Sequence, residues 1–330
     1  MKHNKVINKV LFNSNIQHTE KLCYNKNRKR GDIMFDILNI EELSTAAEYT
    51  TFPRTFKNYK WYKPIFTGII AIILFIILMN LTSLIATMIP GSGGMQELLR
   101  VSYGGYDTLN AYSVLGLVSI ITIGFIIPSL YIANRIVKDR PFSSYASSRG
   151  GWNWKIYFKT LSLSLLIYIS MGIIFSIIEG GKFNNHFTAL TFLLALIIIP
   201  FQCIGEEYFM RGYLMQTVGS WFKIPLIAIV VQSIFFTVLH PYNMLGVISV
   251  FVSGIIFGII TYYTKGIETS SGLHSANNLL TFLFAGLGLK SVATDITLVG
   301  CLLDMGLLVF TSILVLYVSK KCGWFKEETL

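Results

Sequence analysis

A chain of 330 residues that is 53% hydrophobic and 13% charged does not have the make-up of a soluble domain, in which about a quarter of residues carry charge. Its mean hydropathy of +0.59 is that of a polytopic membrane protein. The formal net charge of +10 raises nucleic acid as a partner, but the basic residues follow a membrane-topology pattern, so the expected partner is the lipid bilayer and no nucleic acid is expected. Cys23, Cys203, Cys301 and Cys322 fall in no metal-ligand spacing and read as small apolar residues or free thiols.

In chain order, residues 1–60 form a basic cytoplasmic tail, expected to be partly disordered, with the cluster Lys26-Asn27-Arg28-Lys29-Arg30 at its centre. The first thirty residues contain no apolar stretch of the signal-peptide kind, so no secretory signal is expected. Met34 is a second candidate start of translation. From Met34 to Ala47, apolar Phe35, Leu38 and Leu43 mix with acidic Asp36, Glu41 and Glu42, a pattern that predicts an interfacial helix.

A membrane domain is expected over 61–320. Crossing a ~30 Å hydrocarbon core takes about 20 apolar residues. Eight stretches qualify: Pro64 to Ile89, Ala111 to Ala133, Tyr157 to Ile178, Thr188 to about Met210, Ile224 to Leu239, Met244 to Thr264, Thr269 to Gly288 and Thr297 to Val318. The fifth is short and the seventh only moderately apolar. The predicted fold is all-α, with about eight transmembrane helices.

Lysine and arginine alternate across the connections. The chain through Lys63 holds twelve, and the first loop holds only Arg100. The second holds Arg135, Lys138, Arg140, Arg149, Lys155 and Lys159, and the third only Lys182. The fourth holds Arg211 and Lys223, and the fifth none. The short C-terminal tail, 321–330, is basic at Lys321 and Lys326. The positive-inside rule then puts both termini in the cytoplasm. The expected location is the plasma membrane of a prokaryote.

Charged groups cost several kcal/mol in hydrocarbon unless they are paired or line a wet cavity. The first three spans hold almost none. The fourth holds Glu206, Glu207 and Arg211, the fifth ends on His240, and the seventh holds His274 and Asn278. Glu207 and Arg211 are four apart and share a helix face, whereas Glu206 is rotated by about 100°. Phe236 and His240 share one face of their helix, and His274 and Asn278 share one of theirs, through the same spacing. If the three helices pack together, carboxylate, imidazoles and amide converge.

Such a set suits peptide hydrolysis. A carboxylate with a histidine takes a proton from water, while a second histidine and an asparagine donate to the oxyanion. Glu206, His240 and His274 are also a conceivable set for a divalent metal such as zinc, although no HExxH is present and the spacing demands no metal. The plainer alternatives are snorkelling side chains at the interface and interhelical hydrogen bonding. Gly254 and Gly258 read as a helix-packing pair.

Taken as complete flat spans, the helices leave Glu206 and His274 near the cytoplasmic face and His240, before Pro241, near the far face. The expected resolution is a fourth helix in which Glu206 lies mid-membrane, beside a cavity open to the cytoplasm.

Glu206-Glu207-x-x-x-Arg211, Phe236-x-x-x-His240 and His274-x-x-x-Asn278, in that order over about Thr188 to Gly288, resemble the three motifs of the CPBP family. These are the CAAX proteases and bacteriocin-processing (Abi) enzymes, often labelled intramembrane metalloproteases. The eight spans are similar to those of the type II CAAX prenyl endopeptidases. The resemblance implies an all-helical intramembrane endopeptidase in which Glu206 activates water with the help of His240. In that scheme Glu207 and Arg211 are a supporting pair, and His274 and Asn278 stabilise the oxyanion. It implies a peptide or protein substrate at the membrane, of the CAAX or the bacteriocin or pheromone kind. The competing classes are a non-catalytic immunity or scaffold protein and, less suited to two such unlike halves, a transporter or channel.

Overall fold

Long apolar runs capped by polar residues fold here into helices. The computed structural model describes residues 46–89, 96, 111–178, 181–240, 242–289 and 297–325, all within the unit Glu41–Leu330. The predicted interfacial helix and the basic cluster of the tail lie outside the described residues, apart from positions 46 and 47 of the former. Among the described residues the secondary structure is helical, with a single isolated bridge between Ser147 and Gly266.

Eight helices are used below. They are α1 (Lys63–Ala86), α2 (Val114–Val137), α3 (Trp154–Ile178), α4 (Ala189–Phe222), α5 (Pro225–Val238), α6 (Met244–Thr264), α7 (Glu268–Gly286) and α8 (Leu298–Lys321). Caps set several starts. Ser113, Thr188, Asn243 and Thr297 each accept a hydrogen bond from a backbone N–H in the first turn, which satisfies one of the donors a helix start leaves open. Helices α2, α4 and α6 each end on a lysine in the left-handed conformation, Lys138, Lys223 and Lys265. In an alternating bundle these ends share one side, where positive charge also suits the helix dipole.

Six of the eight helices are long and apolar enough to cross a membrane: α1, α2, α3, α4, α6 and α8. The chain is an integral membrane protein. Helix α5 has only 14 residues. Helix α7 has 19, and its first half, Glu268 through Ala276, is buried on every side. It packs on α3, α4 and α6. A helix enclosed by protein has no need to match lipid, which explains its moderate hydropathy.

Helix α4 differs most from expectation. It does not stop near Met210 but runs 34 residues, through a π-helical stretch at Tyr208–Met215. Arg211 is therefore not a loop residue; it is fully buried inside the helix. At ~1.5 Å per residue such a helix is ~50 Å long, more than a bilayer core requires, and Glu206 falls near its middle.

Glycines bring the backbones together around that point. A Cβ on Gly205 would lie 2.9 Å from the Cα of Gly124 on α2, and one on Gly212 would lie 2.8 Å from the carbonyl oxygen of Tyr145. The Gly254 and Gly258 pair does pack α6 on α5, as a Cβ at Gly258 would meet Gln232 at 2.8 Å. The last residues of the expected tail are packed chain, since Tyr49 is fully buried and its hydroxyl donates to the Tyr145 carbonyl at 2.7 Å.

Candidate active site

The cluster starts from one buried carboxylate. Glu207 has no exposed surface, and its Oε1 accepts from Arg211 Nη1 at 2.8 Å, one helical turn away on α4. The guanidinium also donates through Nη2 to the Gly254 carbonyl at 3.4 Å. It lies 4.7 Å from the Phe236 ring centroid and 5.3 Å from that of Phe257. Two aromatic faces and one carboxylate thus take the place of water around a buried cation.

Helix α7 brings in the next member. His274 Nδ1 stands 2.9 Å from the same Glu207 Oε1, and its Nε2 is 3.1 Å from Asn278 Nδ2. The ring stacks on Phe257 at 5.2 Å and meets Phe236 edge-on at 5.8 Å. Its backbone carbonyl accepts from the Cys203 thiol at 3.8 Å, which ties α7 to α4 one turn before the carboxylates. Tyr157 of α3 donates to Ser275 Oγ at 3.1 Å and holds the opposite face of α7.

Glu206 occupies a different position. Its side chain is 14% exposed, against none for Glu207. Its Oε2 has no hydrogen-bond donor and sits 3.4 Å from His274 Nε2. The two adjacent carboxylates therefore reach opposite nitrogens of one imidazole. Glu207 is locked by Arg211, whereas among the described residues the only ion-pair contact of Glu206 is with that ring, and its side chain touches accessible space.

His240 lies just past the end of α5. Its ring sits 4.6 Å from Phe236, the same phenyl ring that His274 touches, so it belongs to this neighbourhood and not to the far end of the bundle. Among the described residues it makes no ion pair with Glu206 or Glu207. Its Nδ1 is 2.7 Å from the Phe236 carbonyl. A carbonyl only accepts, so Nδ1 carries the hydrogen and Nε2 of the neutral ring presents its lone pair.

The structure thus puts Glu206, Glu207, Arg211, His274 and Asn278 in one contact network, with His240 across Phe236. Among the described residues no three His, Cys, Asp or Glu side chains gather at metal-ligand spacing, and both ring nitrogens of His274 are already engaged. The conceivable zinc set of Glu206, His240 and His274 does not fit this arrangement. Sequence reasoning missed Phe257, Cys203, the Gly254 carbonyl and Gly205. Of these only Gly205, beside a carboxylate pair on a long apolar helix, carried a sequence signal.

Comparison with known proteins finds the same stretch. Residues 188–280 match the family model described as type II CAAX prenyl endopeptidase Rce1-like. An uncharacterized protein of Bacillus subtilis (strain 168), YyaK, is 33% identical over 172 residues, or 48% of this chain and 58% of the relative. The match thus spans less than two thirds of that relative's length. No solved structure matches the chain. The stretch that holds Glu206, Glu207, Arg211, His240, His274 and Asn278 is the stretch that is similar to the type II CAAX prenyl endopeptidases.

Proposed function

We propose that this protein is a membrane-embedded endopeptidase in which Glu206 takes a proton from water. The observation that carries the reading is the asymmetry of the carboxylates. Each carboxylate has an Oε2 without a hydrogen-bond partner, but Glu206 is partly accessible beside His274 Nε2, whereas Glu207 is fully buried with its Oε1 paired to Arg211. The water oxygen bonds to the peptide carbonyl carbon as its proton passes to Glu206. His274 Nε2 is the acceptor to which Glu206 hands the proton on, and the Glu207–Arg211 pair orients the ring through Nδ1. Collapse of the tetrahedral intermediate breaks the C–N bond, and that proton goes to the leaving amine. His240 Nε2, a lone-pair acceptor, has the polarity to orient the attacking water. Asn278, with an amide hydrogen beyond the one directed at His274, is the donor for the oxyanion.

The substrate class rests on the family resemblance: a CAAX-type protein or a bacteriocin- or pheromone-like peptide, in the plasma membrane of a prokaryote, with both termini of the protein cytoplasmic. The test is a comparison of membrane peptidomes from cells carrying the wild-type protein and Glu206→Gln at equal abundance. Fragments present with the first and missing with the second support the reading. Identical peptidomes, with any immunity or assembly phenotype intact in Glu206→Gln, point instead to a non-catalytic immunity or scaffold protein.

A further inference from the structure

Residues 52–62, ahead of α1, form a strap that reaches the end of α4. The Arg54 guanidinium donates to the Ser220 carbonyl at 2.9 Å, and the Trp221 indole donates to the Trp61 carbonyl at 2.8 Å. Ser220 and Trp221 lie in the last turn of α4. The next residue, Lys63, donates through Nζ to the Lys138 carbonyl at the end of α2, at 3.4 Å. The strap and the helix ends it touches thus gather Arg54, Lys57, Lys60, Lys63, Lys138 and Lys223. All are exposed except the half-buried Lys63. Among the described residues none of the six is in an ion pair. The acids nearest in sequence are taken elsewhere. Glu48 accepts from the N–H groups of Thr50 and Thr51 at 2.9 and 2.6 Å, and the fully buried Asp139 accepts from Asn134 at 3.0 Å. Among the described residues every exposed charged side chain is a lysine or arginine, and every aspartate and glutamate is buried or half-buried.

We propose that this strap and the ends of α2 and α4 form a binding site for the headgroup of an anionic phospholipid. The rings beside the bases mark the depth: Trp61, Tyr62, Trp221 and Phe222 are all exposed. Such rings, apolar with a polar edge, sit at the headgroup level of a bilayer. Lysine stems lie along apolar surface while their ammonium groups reach the charge. Bases without a protein counter-ion at that level attract anionic lipid. A phosphate shared between the strap and the helix ends ties the strap to α2 and α4. Helix α4 carries Glu206 and Glu207 in its middle, so the bound lipid steadies the helix on which the cluster is built. Its effect on cleavage rests on the proposed function; the binding does not.

The test uses the full chain in nanodiscs of phosphatidylcholine with and without phosphatidylglycerol. The denaturation midpoint is expected to be higher with phosphatidylglycerol, and the gain to shrink as salt is raised. Native mass spectrometry from mixed micelles is expected to retain phosphatidylglycerol in preference to phosphatidylcholine. The variant Lys57→Gln/Lys60→Gln/Lys223→Gln is expected to lose the gain, each base removed weakening retention roughly fivefold. The matched variant Lys155→Gln/Lys159→Gln/Lys321→Gln, at the start of α3 and the end of α8, is expected to keep it. Equal midpoints in the two lipids overturn the proposal. An equal loss in the two variants also overturns it, since diffuse charge and not a site then binds the lipid. So does an equal gain from soluble glycerol phosphate in phosphatidylcholine nanodiscs, since the ligand is then an anion and not a lipid. In the wild type, phosphatidylglycerol is expected to speed cleavage. A midpoint gain in a protein that cleaves nothing defeats the proposed function and leaves the lipid site standing.

Discussion

Helices α1 and α4 are both apolar and long, yet they solve opposite problems. In α1 only 11% of the most apolar window is buried, against 39% in α4. Ile65, Ile69, Ile72, Ile73, Ile76 and Ile77 of α1 are all exposed, as expected of a surface that meets lipid. Its one amide, Asn80, is satisfied within the helix by the Ile76 carbonyl at 2.8 Å. In α4 a comparable apolar run carries Glu206, Glu207 and Arg211, and the neighbours are arranged around them: α2 closes on Gly205, α6 offers a carbonyl, and α5 and α6 offer phenyl rings. Hydropathy alone does not separate a helix that anchors from a helix that works. The difference is where each helix puts its polar atoms, and which other helices were shaped to receive them.

The sharpest way to break this comparison is Arg211→Ala. Removing one partner of a buried pair costs about 3–5 kcal/mol, because the other charge is left behind; a large drop in denaturation midpoint in detergent is expected. Arg211→Lys is expected to lose part of this too, since an ammonium cannot reproduce the fork and the ring stacking. On α1 the matching change, Asn80→Leu, is expected to stay within about 0.5 kcal/mol, as exposed substitutions do. Equal losses at the two sites would erase the distinction.

Gly205→Ala comes next. Its Cβ would meet the Gly124 backbone at 2.9 Å, and backbone cannot step aside as a side chain can. A loss of about 1–3 kcal/mol is expected, with α4 pushed from α2 beside the carboxylates and cleavage lost at temperatures where the protein is still folded. Wild-type cleavage in Gly205→Ala would show that the site tolerates such displacement.

A pH-dependent effect concerns the first residue of α7. Glu268 is fully buried, pairs with Arg149 at 2.6 Å and accepts from the Asn153 N–H at 3.1 Å. Burial dominates over Arg149 and pushes its carboxyl up to about 7. A carboxyl whose folded value is raised binds its proton more tightly in the folded protein. It therefore contributes most below the unfolded value of 4.5, and the contribution falls as pH rises towards 7. Denaturation midpoints across that range are expected to decline with pH, and Glu268→Gln to flatten the slope. A midpoint that rises with pH in the wild type alone would reverse the assignment.

Much of the site was legible because helices turn spacing into geometry. Four-residue steps put Glu207 under Arg211 and His274 under Asn278, and charges at membrane depth announced themselves by their cost. What was not legible depended on the partner across the gap. That His274 meets Glu207, 67 positions away, is fixed by the packing of α7 on α4. The length of α4 was hidden because Arg211 read as a helix end, while rings from α5 and α6 make a buried arginine tolerable. Helix α7 was marginal by hydropathy because it faces protein. Flat, complete spans would leave His240 at the far face, a conflict already visible in the sequence; the 14-residue α5 ends instead beside the cluster, where Phe236, one turn before His240, touches His274.

The central claim is a division of labour between adjacent carboxylates, and one paired measurement tests it: cleavage and thermal denaturation of Glu206→Gln beside Glu207→Gln, in the same liposomes. The account predicts that Glu206→Gln melts like the wild type and cleaves nothing, while Glu207→Gln melts well below it. Cleavage that survives in Glu206→Gln, or equal melting losses in the two variants, would contradict it.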